Sequence, residues 1–274
     1  MLRSIKDLEG FAIEATDGPI GHVKDFYFDD QAWVVRYLIV QTGGWLASRK
    51  VLVSPMTFGQ PDWSERTLPI SITKQQVKDS PDIDTDKPVS RQHEIQYGGF
   101  YGYPNYWGGA GYWGGGLYPM PLPYGSFGSA PGMYSEPHSA VTRAESARIE
   151  SEDAHLRSCR AVMKYHVHAS DGDLGHVAGF IVDDKTWAIR YVIVDTSNWW
   201  LGHQVLIAPQ WIEGVSWPDA KVTLGMTRRA IQDAPPYDPA STPDRPHEAD
   251  LHRHYGRTGY WAEDDKRETE IYRV

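Results

Sequence analysis

The chain of 274 residues carries 27 Lys and Arg against 36 Asp and Glu, a net charge of -9, with 41% hydrophobic residues and one cysteine. That is material for two domains of ordinary size, and an acidic balance without any basic run excludes sequence-blind attraction to phosphate backbones, so no nucleic-acid partner is expected. Cys159 alone can form neither an intramolecular disulfide nor a cysteine-built metal cage, which points to a reducing compartment.

The first residues, "MLRSIKDLEGFAIEATDG", place Arg3, Lys6, Asp7 and Glu9 where a signal peptide needs an apolar block. No run of about twenty apolar residues follows anywhere. A cytoplasmic location without a transmembrane helix is therefore expected.

Next comes a small β-domain. "DGPIG" reads as a tight turn in which Gly supplies positive φ and Asp17 hydrogen-bonds its own backbone. "HVKDFYFDD" and the stretch from Trp33 to Thr42 read as paired strands, rich in β-branched and aromatic residues. "KVLVSP" is a strand stopped by Pro55, and "RTLPISI" supplies another by alternation. Thr73 sits at an N-cap before one or two helical turns, and "SRQHEIQYG" is a second helical candidate ahead of Tyr106-Trp107.

From Tyr97 to Tyr134 the composition changes to 12 Gly, 5 Pro and 12 aromatics in 38 residues, with no charge. Such density argues against regular structure and against an ordinary solvated linker. The rings either cover the protein's own surface or form an adhesive segment for a partner. A polar connector, "TRAESARIESEDAHLRS", follows.

Beyond it the first pattern returns 154 residues later: "WVVRYLIVQTGGW" becomes "WAIRYVIVDTSNW". Between Leu2 and Trp107, 34 of 106 positions are identical to the residue 154 further on, without a gap, against roughly six expected from ordinary residue frequencies. An internal duplication is the expectation. "DGDLG", "HVAGFIVDD", "QVLIAP", "KVTLGM", the N-cap Thr227 and "DRPHEADLHRHYG" before Tyr260-Trp261 repeat the elements in order.

The repeated phrase, "DGPIGHVKDFYFDD" through "WVVRYLIVQTGGW" to "KVLVSP" and its second version, resembles the PRC-barrel family. That family includes the cytoplasmic domain of the photosynthetic reaction centre H subunit and the C-terminal domain of the ribosome maturation factor RimM. The resemblance implies a mainly β fold of two tandem small PRC-type β-barrels, each followed by short helices and related by internal duplication. The expected domains are a first barrel at 2–90, a helical extension at 91–107, an insert and connector at 108–155, a second barrel at 156–244, and a helical extension with a charged tail at 245–274. In both relatives the barrel is a docking module, and the family brings no catalytic motif.

His22 and Asp29, with His176 and Asp183, form two candidate His/carboxylate pairs that read as hydrogen bonds, acid/base pairs or metal half-sites. Arg36 and Arg190, set in apolar strands, are expected to pair with those aspartates, and Gly21 and Gly175 read as framework. His166 and His168 would share a strand face, and His252 and His254 lie close to His247. Candidate binding anchors are Trp45, Trp199, Trp200, Tyr106, Trp107, Tyr260 and Trp261. HExxH, P-loop and GxSxG motifs are absent, and no cofactor is expected.

The expected function is non-catalytic docking or scaffolding of another protein or a membrane-associated complex, with homo-oligomerisation left open. The alternative is a small-ligand or metal-responsive sensor with two equivalent His/Asp sites. A hydrolase using those pairs ranks last.

Overall fold

The computed structural model describes residues 1–81, 89, 91–103, 155–196 and 203–262. Its strands, in chain order, are β1 (Leu2–Ser4), β2 (Ala12–Ala15), β3 (Gly18–Asp29), β4 (Val34–Thr42), β5 (Lys50–Val53), β6 (Thr67–Pro69) and β7 (Leu156–Ser158). They continue as β8 (His166–Ala169), β9 (Gly172–Asp183), β10 (Ile189–Asp195), β11 (Gln204–Ile207), β12 (Ile212–Ser216) and β13 (Lys221–Leu224). The α-helices are α1 (Ile5–Leu8), α2 (Lys74–Asp79), α3 (Arg91–Tyr101), α4 (Cys159–Val162), α5 (Arg228–Gln232) and α6 (Arg245–His254). The protein is thus mainly β, with two sheets and short helices.

Two compact units divide the chain. The N-unit holds Lys6–Ala161 and Asp184–Ala188; the C-unit holds Met1–Ile5, Val162–Asp183 and Ile189–Val274. Each unit therefore takes its first strand from the other half of the sequence. In the N-unit β7 runs antiparallel to β3, with Leu156 opposite Asp29 and Ser158 opposite Tyr27. In the C-unit β1 runs antiparallel to β9, with Leu2 opposite Asp183 and Ser4 opposite Ile181. The halves of the sequence do not coincide with the units, a feature that local patterning gives no sign of.

The N-unit sheet is ordered β5-β4-β3-β2-β6, with β7 added along β3. Its centre is the twelve-residue β3, which bulges between Val23 and Asp25, while opposite Tyr27 and Phe28 the extra residue, Arg36, lies on β4. Bulges bend a strand and increase its twist, so one β3 reaches β2 at its start and β7 at its end. Against it lies β4, buried from Val34 to Val40, as its nearly unbroken run of β-branched and aromatic residues requires. Gly21 is forced by this pairing, because a Cβ there would stand 1.9 Å from the Gln41 carbonyl oxygen.

Helix α2 begins at a capping box: Thr73 Oγ1 accepts from Gln76 N–H while the Gln76 side chain accepts from Thr73 N–H. Asp17, expected to bond its own turn, instead accepts from Lys74 N–H at 2.8 Å. It serves as a second cap, reaching the helix from across the fold. Helix α3 extends past its expected end at Gly98 to Tyr101. Its Tyr97 packs with Tyr27, Tyr37, Ile39, Leu52, Val89 and Leu156, and the Tyr97 hydroxyl donates to Leu52 O at 2.9 Å.

The C-unit sheet is ordered β11-β10-β9-β8-β13-β12, with β1 added along β9. Gly175 meets the Asp195 carbonyl oxygen at the same hypothetical 1.9 Å. Thr227 caps α5 by accepting from Ala230 N–H, and Asp171 accepts from Arg228 N–H at 2.8 Å. Asp244 caps α6 by accepting from His247 N–H, with Pro246 in the first turn. Among the described residues no helix is long and apolar enough to cross a membrane.

Candidate functional site

Three sets of side chains have the character of a site: the Asp–Arg pairs on the central hairpins, the buried Tyr–Glu clusters under the helices, and the exposed Trp45, Ile95 and Phe100 of the N-unit.

On the N-unit hairpin, Asp29 Oδ1 accepts from the backbone N–H of Gln31 and Ala32, and its Oδ2 lies 3.6 Å from Arg36 Nη2. Both side chains are nearly inaccessible, so each charge satisfies the other. The C-unit repeats the pairing between Arg190 Nη2 and Asp183 Oδ2 at 3.4 Å, and the Arg190 guanidinium lies 3.8 Å over the Tyr260 ring. His22 is not brought to Asp29. The two stand seven residues apart on β3, roughly 20 Å at the ordinary strand rise; His176 and Asp183 are spaced alike on β9.

His166 stands opposite His176 across β8 and β9, His168 Nδ1 lies 2.8 Å from Asp173, and His254 Nε2 donates to Ala230 O at 2.7 Å. Among the described residues no group of three or more His, Cys, Asp or Glu is placed to hold a metal ion. Cys159 is buried, and burial, with Asp25 and Glu9 nearby, pushes its thiol pKa well above the ordinary value. That environment suits a small core residue rather than a nucleophile.

The buried Glu clusters are what sequence reasoning missed. In the N-unit, Glu94 receives Tyr37 and lies 2.8 Å from His155 Nε2, with both Glu94 and His155 buried. In the C-unit, Glu248 Oε1 accepts from the hydroxyls of Tyr191 and Tyr260, each at 2.9 Å, and its Oε2 lies 3.1 Å from Arg245. The Tyr191 oxygen is also 3.1 Å from His252 Nε2, while His252 Nδ1 donates to Thr258 O. Burial first, and the neighbouring Glu second, raise the pKa of both Tyr37 and Tyr191. Burial lowers that of His252. These networks fasten α3 and α6 to their sheets by hydrogen bonds that water cannot replace. The available signal was the matched "HE" at 93–94 and 247–248 beside the matched Tyr37 and Tyr191.

Tyr260 and Trp261 belong to this packing: Arg245 lies 5.2 Å over the first ring and 4.4 Å over the second, and Trp261 is 4.9 Å from His252. Trp45 differs. The residue is 38% exposed, yet its indole N–H donates to Ile20 O at 2.7 Å and Lys74 Nζ sits 5.8 Å from the ring centre. Helix α2 links this ring to α3, since Gln76 O accepts from the Tyr101 hydroxyl, and α3 exposes Ile95 and Phe100. The remaining candidates, Trp199, Trp200, Tyr106 and Trp107, and the insert from 108 onward to 154, lie outside the described residues.

Comparison with known proteins places a PRC-barrel domain at residues 2–74. An uncharacterized protein of Deinococcus radiodurans is 37% identical over 73 residues, which is 27% of this chain and 26% of the relative. The chain thus spans about a quarter of that relative's length.

Proposed function

We propose that this protein is a non-catalytic docking scaffold built from a duplicated PRC-type barrel, holding another protein or a membrane-associated complex. The observation that carries the reading is Trp45, an aromatic ring both exposed and fixed by a hydrogen bond from its indole N–H. A ring already held in place loses little conformational freedom when a partner covers it, which is what a binding anchor requires. Ile95 and Phe100 are further exposed apolar side chains of the same unit.

The ionisable groups support the same reading. Asp29 and Asp183 serve Arg36 and Arg190, and Glu94 and Glu248 serve buried tyrosines, so their chemistry goes into holding the fold. The duplication rests on the 34 identities at a spacing of 154 and on the like strand orders of the two sheets. Barrel closure is supported in the N-unit by Gly59 N–H to Pro69 O and Ser71 N–H to Thr57 O, which join the chain after β5 to the chain around β6. A cytoplasmic location completes the reading, supported by the single, buried cysteine.

A thermal-shift series with divalent metals and nucleotides separates docking from ligand sensing. Docking predicts an unchanged unfolding temperature with every small ligand. A saturable rise with any of them contradicts it.

A further inference from the structure

The first strands β1 and β7 carry one tripeptide, Leu-Arg-Ser, at Leu2–Ser4 and Leu156–Ser158. Each is received by the sheet of the unit built mainly from the other half of the sequence. The receiving edges also match in kind: Tyr27-Phe28-Asp29 takes β7 and Ile181-Val182-Asp183 takes β1, and each ends in the aspartate that pairs with a buried arginine. Leu2 and Leu156 are buried at their receiving edges.

On the N-unit side the seat for β7 is specific. Arg157 Nε lies 2.9 Å from Asp30 Oδ2, Asp25 accepts from the Ser158 hydroxyl and from Arg160 N–H, and Asp30 N–H donates to His155 O. The N-unit edge thus holds β7 through the strand itself and the residues that flank it.

We propose that the exchanged first strand is an interaction element whose intermolecular partner is a second copy of this chain, so that two chains interlock by trading β1. Such trading makes the same contacts that the single chain makes within itself, the condition under which swapping costs little. Covalent attachment gives the intrachain partner an effective concentration that does not depend on how much protein is present. Pairing within the chain prevails in dilute solution, and trading between chains grows when folding occurs at comparable protein concentration.

The test uses the full chain carrying Arg3→Cys and Val182→Cys. These positions face each other in the β1–β9 register, about 4.5–5.5 Å apart between Cα atoms, within the span of a disulfide. After refolding at about 1 μM, the engineered bond is expected within each chain. After refolding at several hundred μM, at least about a tenfold larger dimer fraction is expected, with the bond joining two chains on a non-reducing gel. Dimers whose engineered bond stays within each chain would overturn the proposal. So would a monomer at every concentration, read by light scattering on the unsubstituted chain as well, which keeps the test independent of any folding defect in the double variant.

Discussion

Arg157 Nε lies 2.9 Å from Asp30 Oδ2 although 127 residues separate the two in sequence. The pair fastens β7 to the end of β3 within the N-unit. Both side chains are mostly buried, and burial raises the Asp30 carboxyl pKa in spite of the arginine beside it. Removing the arginine with Arg157→Ala leaves a carboxylate short of its partner and is expected to cost about 1–3 kcal/mol. Urea unfolding of the variant checks this, with a lowered midpoint as the expected result.

Arg36 offers a sharper case. Among the described residues it is the largest fully buried side chain, at 1% exposure, and its counterion Asp29 is almost as deep. Arg36→Ala strands that carboxylate and is expected to destabilise the chain by about 3–5 kcal/mol. Arg190→Ala is expected to cost less, because Asp183 is more open to water. Equal losses in calorimetric unfolding would show that burial does not set the energetics of these pairs.

Gly21→Ala drives a Cβ into the Gln41 carbonyl, and Gly175→Ala does the same at Asp195. Because the obstacle is backbone on a neighbouring strand, relief requires β3 or β9 to move. A loss of at least about 1–3 kcal/mol is expected for each, read as a fall in the unfolding temperature.

Acid is expected to weaken the C-unit through His252. Burial holds its imidazole pKa below the ordinary 6.5, so the unfolded chain binds a proton that the folded chain resists. Stability is therefore fully present above 6.5 and declines as pH falls toward the lowered folded value. Burial shifts His93 in the same direction. The urea midpoint should drop between about pH 7 and about pH 5, and His252→Gln should flatten that dependence. A midpoint that rises on acidification would reverse the assignment.

Much of this framework is legible in the sequence because it rests on local rules. Thr73 and Thr227 announce caps, Pro55 ends a strand, and the β-branched run from Trp33 to Thr42 is long enough to read as a strand without help. What local rules cannot show is where a side chain finds a distant partner. Asp17 looks like a turn residue and caps a helix 57 positions away. Glu94 and Glu248 look like ordinary exposed carboxylates on helices, and only their tyrosines, 57 positions earlier, bury them. The exchange of β1 and β7 escapes sequence reading for a further reason: identical tripeptides fit either sheet, so pattern alone gives no choice between them. Conversely, His22 and Asp29 look like a pair only while the strand between them is ignored.

The most direct test of the docking account is quantitative affinity capture from a bacterial lysate with gently solubilised membranes. It compares the intact chain, a chain lacking residues 108–134, and Trp45→Ala. The account predicts a saturable partner held by the intact chain and weakened at least about tenfold, some 1.4 kcal/mol, by Trp45→Ala. Loss on deletion with Trp45→Ala unaffected would move the contact to the insert. The absence of any specific partner for the intact chain would contradict the account.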